Sequence, residues 1–206
     1  MRALLLAALA ALPVRAGVIE AVVRDAEGKP LADAVVFLRK AADLKEAPPL
    51  PQAEMSQLNQ ELDPHLVVVP AGGTVQFPNK DTTHHHLYSF SKPKSFDLPL
   101  YKGDDAPSVK FEKPGVVKVG CNIHDWMSGI VFVAPTPYYG RTGADGSAVL
   151  TVPDGKVEVS VFHERLKGSV DDTTRRGEAG KAPLRLSWTL TLKKNPASKR
   201  PATGYK

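Results

Sequence analysis

Cysteine is almost missing from this chain: Cys121 is the only one in 206 residues. A single thiol excludes any internal disulfide, so packing and hydrogen bonding alone must hold the fold. Methionine is scarce too, with three in all, and histidine is limited to six. No apolar run approaches the roughly twenty residues that a membrane-spanning helix needs. No internal repeat stands out, which argues against solenoid and propeller architectures.

The longest apolar run is short and sits at the start. Met1 and Arg2 precede ten apolar residues, Ala3 to Leu12, then Pro13 and Val14-Arg15-Ala16. That order predicts a secretory signal over residues 1–16, cleaved before Gly17, and hence a periplasmic mature chain. The formal charge of +5 is unevenly placed. Arg2 and Arg15 leave with the signal, and Lys193, Lys194, Lys199, Arg200 and Lys206 lie in a tail without acids. Setting those seven cations aside leaves the folded part at −2. The tail, 193–206, reads as a solvated disordered end. An exported chain seldom meets nucleic acid, so no nucleic-acid partner is expected.

The body of the chain reads as all-β. Short β-branched runs, Val18 to Val23 and Ala34 to Leu38, flank a Glu27-Gly28-Lys29-Pro30 turn. Ala47 to Pro51 reads as an extended proline-rich link, and Glu54 to Leu62 is ambiguous between strand and short helix. Further strands are expected at Leu66–Val69, Thr74–Phe77, Val116–Cys121, Ile130–Val133, Ala148–Val152, Val157–Phe162 and Leu184–Leu192. Lys167 to Lys181 is polar and glycine-bearing and reads as a surface loop. Strands at such short intervals, separated by turn signals, predict a sandwich or small barrel.

Chemistry concentrates in Gly120-Cys121-Asn122-Ile123-His124-Asp125-Trp126-Met127. A thiol, an imidazole and a thioether fall three residues apart, directly after a strand. On that strand Val117, Val119 and Cys121 share a face, so the sulfur should point inward. A second imidazole is available at His84-His85-His86-Leu87. His85 alternates with the apolar Leu87, which selects His85 as the inward member and sends His84 and His86 to the other face. Soft sulfur with imidazole selects copper, and two His, one Cys and a weak Met form the blue-copper set. The candidate metal ligands are therefore His85, Cys121, His124 and Met127, holding one type 1 copper ion. Read apart, these groups have ordinary explanations: a His triplet as a solvated edge, a lone Cys as core packing. His163 has no ligand-like spacing around it and reads as structural.

The stretch 55–134 resembles the cupredoxins, carried by Phe77-Pro78-Asn79-Lys80-Asp81, by His85-His86-Leu87-Tyr88-Ser89-Phe90-Ser91 and by Gly120 to Met127. The short Cys-x-x-His-x-x-Met loop resembles that of amicyanin, and the whole resembles exported plastocyanin-like proteins labelled methylamine utilization proteins. The resemblance implies a Greek-key cupredoxin sandwich and, by its His-Asn-hydrophobic pattern, again selects His85. This chain departs from the family in having His86 where that Asn ties the two ligand loops together. The flanks, 17–41 and 138–192, resemble the two halves of a carboxypeptidase regulatory-like, transthyretin-like sandwich, through Gly28 to Val36, Thr142 to Gly146 and Val152 to Gly155. Two arrangements follow: a cupredoxin inserted into a small sandwich, or one enlarged cupredoxin with extra edge strands.

One-electron transfer, with unidentified redox protein partners, is the function these readings favour. An enzyme is not expected, because copper enzymes on this fold need further His clusters and only His65 and His163 lie outside the groups already used. A copper chaperone or storage protein is the main rival, but such proteins favour Met-rich or multi-Cys tracts. A scaffold module with a degenerate site is opposed by the complete ligand set. Trp126, inside the ligand loop, is expected either to cap the site from within or to stand beside His124 as a docking surface.

Overall fold

The computed structural model describes residues 16–40, 50–103 and 105–194. The signal sequence other than Ala16, most of the proline-rich link and the basic tail beyond Lys194 lie outside the described residues. The fold is all-β, as the sequence predicts, with one 3-10 turn at Val170–Thr173. Among the described residues no helix is long and apolar enough to cross a membrane.

Two pairs of facing sheets account for the core. In the first pair, Ala16–Asp25 lies between Ser147–Pro153 and Leu184–Leu190. Its inward residues Ile19, Ala21, Val23, Leu150, Val152, Trp188 and Leu190 meet Val36, Leu38, Val157, Val159 and Val161. The latter come from a four-stranded sheet in the order Tyr139–Arg141, Val35–Leu38, Gly155–Phe162, Arg175–Ala179. The second pair sets the sheet Leu66–Pro70, Ser128–Ala134, Gly115–Cys121, Leu87–Ser91, Lys94–Asp97 against Ser108–Phe111, Gly73–Gln76, Gln52–Glu54. Val67, Val69, Val117, Val119, Val131 and Val133 of one sheet share a core with Val75, Val109 and Phe111 of the other.

The two pairs are joined face to face. Val35, Phe37 and Phe162 pack on Leu66, Phe132 and Ala134. Phe132 stacks on Phe162 with centroids 4.5 Å apart and planes 8° off parallel, a pair contributing about 0.5–1.5 kcal/mol beyond its burial. The junction explains why Val35-Val36-Phe37-Leu38 shows no polar alternation. All four residues are buried, because that strand has protein on both faces.

Two segments differ from expectation. Lys167–Lys181 is not a loop: Val170–Thr173 is capped at Ser169, and Arg175–Ala179 pairs with Gly155–Phe162 as an edge strand. Its polarity suits an edge whose outer face is solvated, which is why it lacks a strand signature. The ambiguous Glu54 to Leu62 region contains a hairpin, Ser56–Leu58 with Glu61–Asp63. Its turn residues Asn59 and Gln60 both have left-handed backbones, φ 54° and 57°, as two-residue hairpin turns require.

Candidate metal centre

Strand pairing brings two chemistry-bearing segments to one end of the five-stranded sheet. Gly115–Cys121 and Ser128–Ala134 form a hairpin with partners from Gly115↔Val133 to Gly120↔Ser128, so residues 122–127 become its connecting loop. The loop is pinned from within. The Cys121 N–H donates to Met127 O at 3.1 Å, and the Met127 N–H donates to His124 O at 2.9 Å. On the other side, Gly120 and Cys121 pair with Tyr88 and Leu87. This fixes the register of the histidine segment. His85, Leu87 and Ser89 face the core, His84 is exposed and His86 is half-buried.

Three donors converge at this point. Cys121 Sγ lies 3.8 Å from His85 Nδ1 and 3.6 Å from His124 Nδ1, and all three ligand atoms fall within 4.8 Å of one another. First-row metal–sulfur and metal–imidazole bonds of about 2.3 and 2.0 Å, opened by about 110–120°, would separate sulfur from nitrogen by about 3.5–3.7 Å. The observed distances match the span of donors around one ion. The donor set, one soft sulfur with two imidazoles, suits copper and zinc among first-row metals. Met127 is buried in the same core as Cys121 and is held against His124 by the backbone bond already described.

The electrostatics prepare the sulfur for a cation. Burial opposes ionisation of the Cys121 thiol, yet hydrogen bonds from His85, from the His86 and Ile123 backbones and from His124 bring its pKa down to about 6. For His85, burial opposes the charged ring, but hydrogen bonds with Cys121 and Asp81 prevail and raise its pKa above the ordinary value. The pair therefore favours thiolate at the pH where metal ligation needs it.

Several residues besides the predicted ligands support the site. Asp81 Oδ2 accepts from His85 Nε2 at 2.7 Å. Tyr101 exchanges both backbone hydrogen bonds with His85, at 3.1 and 3.0 Å. Its hydroxyl donates to Phe77 O at 2.7 Å and receives Gln57 Nε2 at 2.5 Å. Burial raises its pKa, keeping it a neutral donor. Asn79 Nδ2 donates to Thr83 O and Tyr101 O. The loop-tying role that the cupredoxin resemblance gives to an Asn side chain falls here to the backbone: the Asn122 N–H donates to His86 O at 2.9 Å. The His86 side chain turns away to Asp97. Asp81 and Asn79 lie in the Phe77–Asp81 segment that carries the cupredoxin resemblance; Tyr101 and Gln57 carry no such signal.

No family model and no curated protein matches the chain. Solved structures do match. They include cupredoxins. A purple cupredoxin from Nitrosopumilus maritimus is 28% identical, over 40% of this chain and 99% of that one, with a TM-score of 0.37. A point mutant of amicyanin in its reduced Cu(I) form is 19% identical, over 49% of this chain and 98% of that one, with a TM-score of 0.38. A copper-containing nitrite reductase from Thermus scotoductus SA-01 is 24% identical over 40% of this chain, with a TM-score of 0.38. The match spans only 22% of that enzyme's length.

Trp126 falls between its two expected roles. The residue is half-buried against the core, its ring lies 5.4 Å from that of His124, and its Nε1 donates to Gln60 O at 3.2 Å. Of the remaining histidines, His65 bonds Ser128 O and Glu164. His163 accepts the Arg165 N–H through Nδ1, and burial lowers its pKa.

Proposed function

We propose that this protein is an exported one-electron carrier built on a single type 1 copper ion held by His85, Cys121, His124 and Met127. The observation that carries this reading is the convergence of two imidazole Nδ1 atoms on one buried sulfur at 3.8 and 3.6 Å. When bound, copper supplies a one-electron Cu(II)/Cu(I) couple. The chain supplies a cage that changes little between the two states. His85 is wholly buried and bonded at both ring nitrogens, the ligand loop is closed by two backbone hydrogen bonds, and Cys121 is anchored in the sheet.

The half-buried His124 gives the electron its route out, with the exposed Ile123 beside it in the loop. The reading takes the protein as a carrier rather than an enzyme. Its remaining imidazoles are exposed (His84) or committed to protein partners (His65, His86 and His163). It also treats 55–134 as the copper unit and 17–41 with 138–192 as the sandwich that carries it in the periplasm. The test is titration of purified metal-free protein with Cu(II). One equivalent is expected to produce an intense red-end absorption band that disappears on reduction and returns on oxidation. A colourless copper complex, or a band that does not cycle, would exclude the type 1 carrier.

A further inference from the structure

Both nitrogens of the buried His85 ring are engaged, and the two engagements differ in kind. Nδ1 faces Cys121 Sγ. Nε2 lies 2.7 Å from Asp81 Oδ2. A carboxylate can only accept, so Nε2 keeps its proton, and Nδ1, which shares a proton with Cys121 in the metal-free site, is the nitrogen whose lone pair a metal ion can take. Asp81 is itself held. Its side chain is 11% exposed, Oδ1 accepts the Asn59 N–H at 2.6 Å, and Oδ2 accepts the Gln60 N–H at 2.8 Å. Two consecutive amides reach one carboxylate because both residues are left-handed. The Asp81 N–H donates to the buried Asn79 Oδ1 at 2.9 Å, closing the arrangement from behind. Gln60 O, on the same turn, accepts from Trp126 Nε1 in the other ligand loop. One hairpin turn thus touches the supports of both imidazoles.

We infer that Asp81 is the positioning residue of the copper site: held by the Asn59–Gln60 turn, it fixes the His85 tautomer and makes that ligand more electron-donating, which favours Cu(II) over Cu(I). The inference rests on the copper reading above. A simple structural ion pair would instead be expected to affect folding alone, and buried pairs are weak stabilisers in any case. Hydrogen bonding by a carboxylate at the far ring nitrogen raises the basicity of the ligand nitrogen. Removing the negative charge should then disfavour the more highly charged ion.

The experiment compares wild type with Asp81→Asn, which keeps the side-chain volume and removes the charge. The ratio of Cu(I) to Cu(II) affinity is expected to rise at least tenfold, read as a reduction potential higher by at least 59 mV, with the absorption band retained. A second measurement needs no variant. In the diamagnetic Cu(I)-loaded wild type, nitrogen-resolved NMR is expected to show a slowly exchanging proton on His85 Nε2. A wild type that forms no blue complex would overturn both the copper reading and this one. A blue wild type without a protected Nε2 proton, or an Asp81→Asn protein whose affinity ratio rises less than tenfold, would overturn the role of Asp81 alone.

Discussion

Among the described residues, the two halves of the molecule bury the same number of polar side chains and use them differently. The flanking sandwich buries Thr142, Ser160, His163 and Thr173, with Thr136 at its edge. Most of these close on backbone. Thr142 Oγ1 donates to Leu31 O and accepts the Ala34 N–H, Thr173 Oγ1 bridges the N–H and O of Val161, and Trp188 Nε1 donates to Thr173 O. The stretch 55–134 buries Ser56, Gln57, Asn79, His85 and Ser89. Here side chain leads to side chain, from Asp81 to His85 to Cys121 to His124. Two imidazole nitrogens close on one sulfur, and Gln57 Oε1 is buried with no hydrogen-bond partner. Buried polar groups that serve only the fold find complementary partners. A sulfur and two imidazole nitrogens gathered round one point can exchange their shared protons for a cation at its centre.

Substitution of Cys121 should break the contrast most completely. Cys121→Ser is expected to fold and to show none of the blue absorption, because the colour arises from sulfur-to-copper charge transfer; the spectrum of the Cu(II)-treated protein decides. Next in size is the register test. His85→Ala should abolish the type 1 spectrum, whereas His84→Ala, at an exposed position, should leave it nearly intact. His86→Ala should fall between, since the backbone of His86 serves both Cys121 and Asn122. A blue His85→Ala protein would remove His85 from the ligand set.

The same contrast predicts opposite behaviour in the flanks. Trp188→Ala should cost about 3–5 kcal/mol of stability, seen as a lower midpoint in denaturant, while the protein still folded keeps its spectrum. The pH response sharpens the other side. A thiol whose folded pKa falls from 9.0 to about 6 keeps its thiolate down to that pH. Its contribution to the metal-free fold is whole above pH 9.0 and lost as pH falls through about 6. His85, shifted upward, runs the other way, complete below its ordinary value and lost as pH rises through the folded one. Copper uptake draws on both groups, since ligation needs a thiolate and a neutral His85 ring. Affinity should fall by about a hundredfold per pH unit below about 6, as one proton must leave Cys121 and one must leave His85 for each ion bound. Titrations at several pH values measure the slope.

What could be read in advance follows from the range of each interaction. The two-residue period of a strand is local, so the inward Cys121 and the choice of His85 over its neighbours were legible from Val117, Val119 and Leu87. The all-β class was legible for the same reason. Polar edges escaped, because Arg175–Ala179 buries too little to show a pattern. The outer support of the site escaped as well. Asp81 meets Asn59 and Gln60 across more than twenty residues, through a left-handed turn that Leu58-Asn59-Gln60-Glu61 does not announce with a glycine. Tyr101 reaches His85 through backbone alone, and backbone pairing leaves no residue type to recognise.

The smallest expected effect concerns the face proposed for electron exchange. Trp126 is half-buried and tied to Gln60, so its loss would disturb packing and docking together and separate nothing. Ile123 offers the cleaner probe. It sits in the ligand loop between Cys121 and His124, is 50% exposed, and supplies only its backbone to Cys121. If electrons leave through the edge of His124, two copies of the protein exchanging an electron must bring their Ile123 side chains close. Ile123→Lys would place like charges at that contact, repulsive at short range and screened by salt. Electron self-exchange between the reduced and oxidised protein is therefore expected to slow about tenfold at low ionic strength, about 1.4 kcal/mol, and to recover in part as salt is added. The blue spectrum should not change, because no ligand atom moves. NMR line broadening in mixtures of the two oxidation states gives the rate. An unchanged rate at low salt would place the exit elsewhere, with the outward face of Tyr88 and the exposed Phe90, beside Gly120, as the next surface to mutate.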